Sequence, residues 1–287
     1  MKARIFGWIP VYGLLIACAI GLAVALCEKE CRRKGLKKDS GIDMALWAVP
    51  FAIVGARLYY VAFRWDYFRH DLTAVLRIWE GGLAIYGAVI GGFVGLFWMS
   101  RRQKITFSVL LDIAAPLVLL GQCIGRWGNY FNGEAYGYAV QNAALQFFPV
   151  SVYVDGQWHL ATFFYESCWN ALGFVLLWTN RKKTKKNGDT ALSYLLWYGA
   201  GRLFIEGLRT DSLMLLSMRV SQLLSLSLCV TAVLMQAVRY KKKKGLWAGC
   251  AVAALAVICL ATGQTYLTAV PALAFAALYF DIQKARL

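Results

Sequence analysis

Residues 8–27 read WIPVYGLLIACAIGLAVALC, and residues 28–38 behind them read EKECRRKGLKK. An uncharged apolar run of this length is what one helix needs to cross a hydrocarbon core about 30 Å thick, and the basic block is what stops it. A second reading competes at the N-terminus. Met1-Lys2-Ala3-Arg4 ahead of the run, with Leu15-Ile16-Ala17-Cys18 inside it, has the look of a cleavable leader ending in a lipoprotein-type box. The run continues past Cys18 to Leu26, however, whereas a cleaved leader gives way to polar mature sequence. The stretch therefore reads as a first membrane helix.

The same alternation of apolar run and basic block recurs along the chain. Candidate spans fall at about 8–27, 44–64, 82–100, 107–124, 162–180, 190–208, 219–238, 246–263 and 265–281. Of the 31 Lys and Arg, 21 sit in five short segments, 29–38, 101–104, 181–186, 239–244 and 284–286. With the N-terminus outside, nine spans place all five on the cytoplasmic side, as the positive-inside rule requires. The expected fold is an all-α polytopic membrane protein with about nine transmembrane helices. Its longest outer segment, 125–161, would form a small extracytoplasmic cap, and the C-terminus would be cytoplasmic.

Composition agrees. Sixty per cent of the 287 residues are hydrophobic, 16% are charged, and mean hydropathy is +0.53, against about 45–50% apolar and about 25% charged in soluble domains. That excludes a soluble globule and a disordered chain. Eleven Trp, fifteen Tyr and sixteen Phe suit interfacial aromatic belts, and the lack of long alternating strands argues against an outer-membrane barrel. The net charge of +16 is accounted for by the inner loops, so nucleic acid is not an expected partner; the lipid bilayer is. Of the eight Cys, most lie in apolar runs as small hydrophobes, and Cys27 and Cys31 have no second pair to complete a zinc set. The two His are His70, read as solvated, and His159. No metal or cofactor is expected.

Ionisable groups inside a span cost about 2.5–3.5 kcal/mol each on insertion scales, so those present need a reason. Arg57 interrupts the second span. Arg126 and Asn129 follow the fourth, in Gly125-Arg126-Trp127-Gly128-Asn129-Tyr130-Phe131-Asn132-Gly133-Glu134, with Gly137 beyond. Tyr198, Arg202, Glu206 and Arg209 fall on one helical face by spacing. One reading is a buried Arg–Glu pair that fixes packing. The other is a cationic pocket for an anion near the outer leaflet, with Glu206 ordering the guanidiniums. Glu166, at the outer edge of the fifth span, is open between a structural and a site role. A second Gly-rich run, Glu80-Gly81-Gly82-Leu83-Ala84-Ile85-Tyr86-Gly87-Ala88-Val89-Ile90-Gly91-Gly92, opens the third span. It reads either as close helix packing or as part of the site, where Tyr86 is the one residue with useful proton chemistry.

These motifs together resemble the prolipoprotein diacylglyceryl transferase family. The 125–137 run is similar to that family's signature. Tyr198 to Arg209 resembles its late helix, and Val11-Tyr12-Gly13-Leu14 its N-terminal Tyr-Gly element. Gly55-Ala56-Arg57-Leu58-Tyr59-Tyr60 and the stretch from His159 to Glu166 match in character and order. The resemblance covers about 8–240. It departs in two places: Tyr86-Gly87-Ala88 stands where the family usually has His-Gly-Gly, and the family typically has seven spans, so 241–287 reads as an extra C-terminal hairpin on a 1–240 transferase core.

The resemblance implies transfer of the diacylglyceryl group of phosphatidylglycerol to the lipobox cysteine of an exported prolipoprotein's signal peptide, with release of glycerol phosphate. It implies catalytic roles for Arg126, Arg202 and Glu206; Tyr86, at the position that departs from the family, is read as a catalytic residue that orients the lipid or the thiol. Substrate contacts would come from Tyr12, Arg57, Asn129, Asn132, Glu134, Gly137, Tyr198 and Arg209. No cofactor is called for, and the site would open near the outer leaflet of the cell membrane. A transporter or flippase for an anionic lipid or solute is the alternative from another class; a non-catalytic scaffold leaves Arg202 and Glu206 unexplained.

Overall fold

The chain's computed structural model describes residues 4–5, 9–210, 214–215, 218–241, 243–262 and 268–284. The leader reading of residues 1–3, the tip of the 209–218 segment and the basic residue Arg286 lie outside the described residues. Among these, nine helices carry 16–26 residues each: α1 (Val11–Arg33), α2 (Ser40–Phe63), α4 (Ile85–Gln103), α5 (Phe107–Asn132), α6 (Thr162–Asn180), α7 (Asp189–Ile205), α8 (Val220–Arg239), α9 (Lys243–Ala261) and α10 (Ala269–Lys284). A single turn, α3 (Trp65–Phe68), lies between α2 and α4. Four helices, α1, α2, α5 and α8, are long and apolar enough to cross a membrane, and the chain is a helical integral membrane protein. Among the described residues there are three short antiparallel pairings, β1 (Arg4–Ile5) with β2 (Ile9–Pro10) ahead of α1, β3 (Ser151–Val154) with β4 (Gln157–Leu160) between α5 and α6, and β5 (Met214–Leu215) with β6 (Met218–Arg219) between α7 and α8. Sequence patterning, which pointed to helices alone, did not show them.

The chain divides into two compact units, Met1–Ala23 with Ala114–Leu287, and Val24–Ile113. In the second, α2 and α4 meet along a seam of glycines. A Cβ on Gly55 would strike the carbonyl of Gly87, one on Gly91 that of Phe51, and one on Gly95 that of Trp47. The four-residue spacing of Gly87, Gly91 and Gly95 is the small-residue pattern that lets helix backbones touch in a bilayer. The glycines of this run thus pack α4 on α2.

Arg57 organises the loop between α2 and α4. Its Nε donates to the carbonyl of Val75 at 2.9 Å, Nη1 to Gly81 and Gly82 at 2.6 and 3.0 Å, and Nη2 to Ala74 and Arg77 at 2.6 and 3.2 Å. A guanidinium has five N–H groups, and all five are used. Its carbon also lies 5.1 Å from the centre of the Phe68 ring. Asp71 starts the 3-10 turn Leu72–Leu76, accepting from the amides of Thr73 and Ala74. Its carboxyl is lowered to about 2 by hydrogen bonds from the Thr73 hydroxyl and the Arg77 guanidinium.

The first unit is built on α6 and α7. Trp169 and Trp197 stack at 4.5 Å, and each indole donates to the other's backbone carbonyl, at 2.9 and 3.0 Å. Each indole also covers a glycine on the facing helix, Trp169 over Gly201 and Trp197 over Gly173. On both helices the Trp and Gly are four residues apart, so the lock is self-complementary and sets the register of the pair. Around it a core gathers Leu196, Ala200 and Leu203 of α7, Cys229, Ala232 and Val233 of α8, Ala256 and Leu260 of α9, and Phe275 and Ala276 of α10.

Two outcomes follow. Gly91→Ala pushes α4 off the Phe51 carbonyl and lowers stability by about 1–3 kcal/mol, read as an earlier unfolding midpoint in detergent. Asp71→Asn removes the contact that depresses the Asp71 carboxyl. The wild-type loop keeps that advantage above the ordinary carboxylate range and loses it as pH falls through about 2. Hydrogen exchange at residues 73–77 is then faster in the variant at pH 5, and the difference closes near pH 2.

Candidate active site

The helix that carries Arg126 is longer than the sequence reading allowed. The fourth span was expected to end near 124, with Gly125 opening a loop. Instead α5 runs to Asn132, and Gly133 (φ 66°) and Ala135 (φ 61°) make the turn beyond it. Tertiary packing overrides the glycine signal. Trp127 and Tyr130 pack on Phe163 at 5.7 and 5.0 Å, and Gly128 gives way to the ring of Tyr12, which a Cβ there would overlap. Arg126, Asn129 and Asn132 are thus held on a rigid helix.

Glu166 is the centre of the site. Its side chain is 2% exposed; Oε1 lies 2.5 Å from Arg126 Nη2, and Oε2 lies 3.0 Å from Arg202 Nη1 and 3.8 Å from Arg209 Nη1. Arg202 Nη2 also lies 2.5 Å from Glu206 Oε2. Three guanidiniums from α5, α7 and the segment after α7 converge on one carboxylate of α6. The spacing argument had put Tyr198, Arg202, Glu206 and Arg209 on one helix. In fact α7 ends at Ile205, Glu206–Leu208 is a 3-10 turn, and Arg209 is extended. It reaches Glu166 from beyond the helix end, its position fixed by an isolated antiparallel bridge to Gly137.

The other expected residues separate into groups. Asn129 and Asn132 both donate through Nδ2 to Glu134 Oε1, at 3.2 and 3.1 Å, on an exposed rim. Tyr198 stacks on Tyr194 at 5.6 Å. Gly137 does structural work: its amide donates to Leu160 at 2.9 Å, and a Cβ would meet the Leu208 carbonyl at 2.6 Å and Leu160 and Thr162 side chains at 2.8 Å. The five N–H groups of Arg57 are all taken by carbonyls of its own loop, so it acts on the loop rather than through a free donor. Tyr86 belongs to the other unit, where it is 36% exposed and its ring sits 6.2 Å from that of Tyr59.

Sequence reasoning passed over Arg219. It donates through Nη1 to the carbonyl of Glu206 and through Nη2 to the Tyr138 hydroxyl at 2.7 Å. A basic residue at the start of the 219–238 run was the available signal, and it was not singled out. The 133–161 excursion is fastened to the site by Thr162 Oγ1 donating to Ala135 at 2.9 Å and by His159 Nδ1 against the Gly137 carbonyl at 3.0 Å.

Electrostatically, two carboxylates face three guanidiniums, and Arg219 adds a fourth positive charge at the Glu206 carbonyl. Counted over the described residues, the buried cluster carries a surplus of positive charge, a balance suited to an anion. Among the described residues no group of His, Cys, Asp and Glu is arranged to hold a metal ion.

Comparison with known proteins gives the same direction. Residues 4–238 match the family model described as prolipoprotein diacylglyceryl transferase. Proteins named phosphatidylglycerol–prolipoprotein diacylglyceryl transferase are similar over most of the chain. One from Listeria innocua is 43% identical over 228 residues, covering 77% of this chain and 82% of the relative. One from Streptococcus equi subsp. zooepidemicus is 47% identical over 236 residues, covering 81% and 91%. One from Ligilactobacillus salivarius is 47% identical over 230 residues, covering 77% and 86%. With its signature arginine on α5 and the Arg–Glu cluster of α6 and α7, the chain belongs to the prolipoprotein diacylglyceryl transferase family.

Proposed function

We propose that the chain transfers the diacylglyceryl group of phosphatidylglycerol to the lipobox cysteine of exported prolipoproteins. The observation that carries this reading is the convergence of Arg126, Arg202 and Arg209 on Glu166, with positive charge left over. A phosphodiester brings one negative charge, which that surplus matches. As the glyceryl carbon–oxygen bond breaks, the leaving glycerol phosphate gains a second, and preorganised guanidiniums stabilise it where it develops.

The reaction is displacement at carbon. The cysteine sulfur bonds to the glyceryl carbon, and the electron pair of the broken carbon–oxygen bond leaves on the phosphate oxygen. The thiol, with an ordinary pKa near 8.5, gives up its proton as it attacks; a cationic field favours the thiolate, and the departing glycerol phosphate, which gains the second negative charge, takes the proton up. Tyr86 stands where the family has His; its hydroxyl orients the lipid or the thiol rather than abstracting the proton. Tyr12, Tyr198 and the Asn129–Asn132–Glu134 rim serve as headgroup contacts, and Arg126, Arg202 and Glu206 as the catalytic set. The displacement calls for no cofactor.

The topology proposed with this function has nine spans, the N-terminus outside and the C-terminus in the cytoplasm. The arginine cluster and the cap beyond it then lie at the outer leaflet, where an exported signal peptide presents its cysteine. Residues 1–240 form the transferase core and 241–287 an added hairpin. The relatives named above are transferases, and no observation favours the transport alternative.

The test is reconstitution of the purified protein with phosphatidylglycerol and a lipobox peptide, with the peptide mass as readout. Wild type adds a diacylglyceryl group to the cysteine. Arg126→Ala and Arg202→Ala lower the rate by about 10²–10³-fold, and folded protein without adduct overturns the reading. In the same assay Tyr86→Phe lowers kcat/KM by about tenfold, the worth of one hydrogen bond to the reacting groups; unchanged turnover excludes a role for the hydroxyl.

A further inference from the structure

One polar side chain in the membrane part of the first unit has no use in the scheme above. Asn170 is 1% exposed, and neither its Oδ1 nor its Nδ2 has a hydrogen-bond partner among the described residues. A side-chain amide shut away from water without a partner is costly and calls for a specific explanation.

Its position is bracketed by contacts on either side. On the buried face of α6, Glu166 comes one turn earlier, at the arginines. Ser167, next to it, donates to the carbonyl of Cys123 on α5 at 2.9 Å. Gly173, one turn later, lies under Trp197 of α7 and beside Leu119 of α5. Asn170 therefore sits at the junction of α5, α6 and α7, about 6 Å along the helix from Glu166. A second buried orphan belongs to the same junction. Gln122, between Leu119 and Cys123 on α5, donates through Nε2 to the Tyr194 hydroxyl at 3.1 Å, while its Oε1 has no partner among the described residues. Tyr194 in turn stacks on Tyr198, one turn before Arg202. Polar groups on all three helices, Asn170 of α6 and the Gln122–Tyr194 hydrogen bond between α5 and α7, thus make up a rung one step along the helices from the arginines.

We propose that this rung is a subsite for the glycerol ester groups of the donor lipid, with the Asn170 Nδ2 donating to an ester carbonyl. The inference rests on the transferase reading and deepens it. A phosphate held by Arg126 and Arg202 places the glycerol esters next along the lipid, toward the acyl chains. An ester carbonyl only accepts hydrogen bonds, and an amide N–H is the matching donor. Asn170 has no protein partner among the described residues, so an ester carbonyl that reaches it meets a ready donor. The contact makes the enzyme selective for ester-linked over ether-linked donors.

The experiment compares diacyl phosphatidylglycerol with the dialkyl ether analogue of equal chain length. Both keep the reacting carbon and the phosphate, and both are presented with the same lipobox peptide. Wild type is expected to favour the ester by about tenfold in kcat/KM, chiefly through KM. Asn170→Leu removes the preference by slowing the ester donor alone. Equal use of the two donors by wild type overturns the proposal. So does an Asn170→Leu variant that slows both alike, which marks a buried water or a packing role. If the variant does not fold, the wild-type ratio still decides. If wild type transfers from neither donor, the transferase reading fails by itself. Competition of the two lipids for the protein in native mass spectrometry then tests the subsite: an ester preference of about tenfold supports it, and equal retention overturns it.

Discussion

The site depends on a single buried carboxylate. Arg126, Arg202 and Arg209 come from three stretches of chain, and without an anion among them like charges in a low-dielectric interior repel strongly. Glu166 reverses that balance by accepting contacts from all three. The carboxylate is equally dependent on the arginines, since a lone buried charge in a membrane protein is expensive. Geometry then follows from the tryptophan lock. Trp169 and Trp197 fix the register of α6 on α7 by two reciprocal hydrogen bonds, and Glu166 and Arg202 lie within about one turn of the lock on their own helices. A self-complementary contact thus aligns an asymmetric one.

Much of the fold was legible because hydropathy and charge are read residue by residue. The observed helices lie within a few residues of most expected runs, since length and apolar content alone decide them. The boundary at α5 was missed because Gly125 and Gly128 carry a local turn signal, whereas the contacts that continue the helix, Tyr12 and Phe163, are remote in sequence. The cluster was legible in part for the same reason. Arg202 and Glu206 announce each other by spacing. Glu166 has its partners 36 to 43 positions away, and no local pattern reveals that. The lock was visible in principle as a Trp and Gly four residues apart on each of two successive runs.

Arg57 and Arg202 show how one residue type does two jobs in similar surroundings. Arg57 meets only carbonyl oxygens through its five donors, and so behaves as a rigid hub that gives a loop its shape. Arg202 meets carboxylates, whose negative charge a phosphate can take over in kind. An arginine inside a span is therefore assigned by the charge of its acceptors more than by its burial.

The packing of α10 on α7 bears on how the protein is made. The core around Leu196, Ala200 and Leu203 is closed by Phe275 and Ala276, which leave the ribosome some seventy residues after α7. Chains fold broadly in the order of their synthesis. The helix that carries Arg202 therefore keeps one flank uncovered until α10 arrives. A nascent protein halted before α10 has its arginines, but the apolar core beside α7 is not yet closed by Phe275 and Ala276.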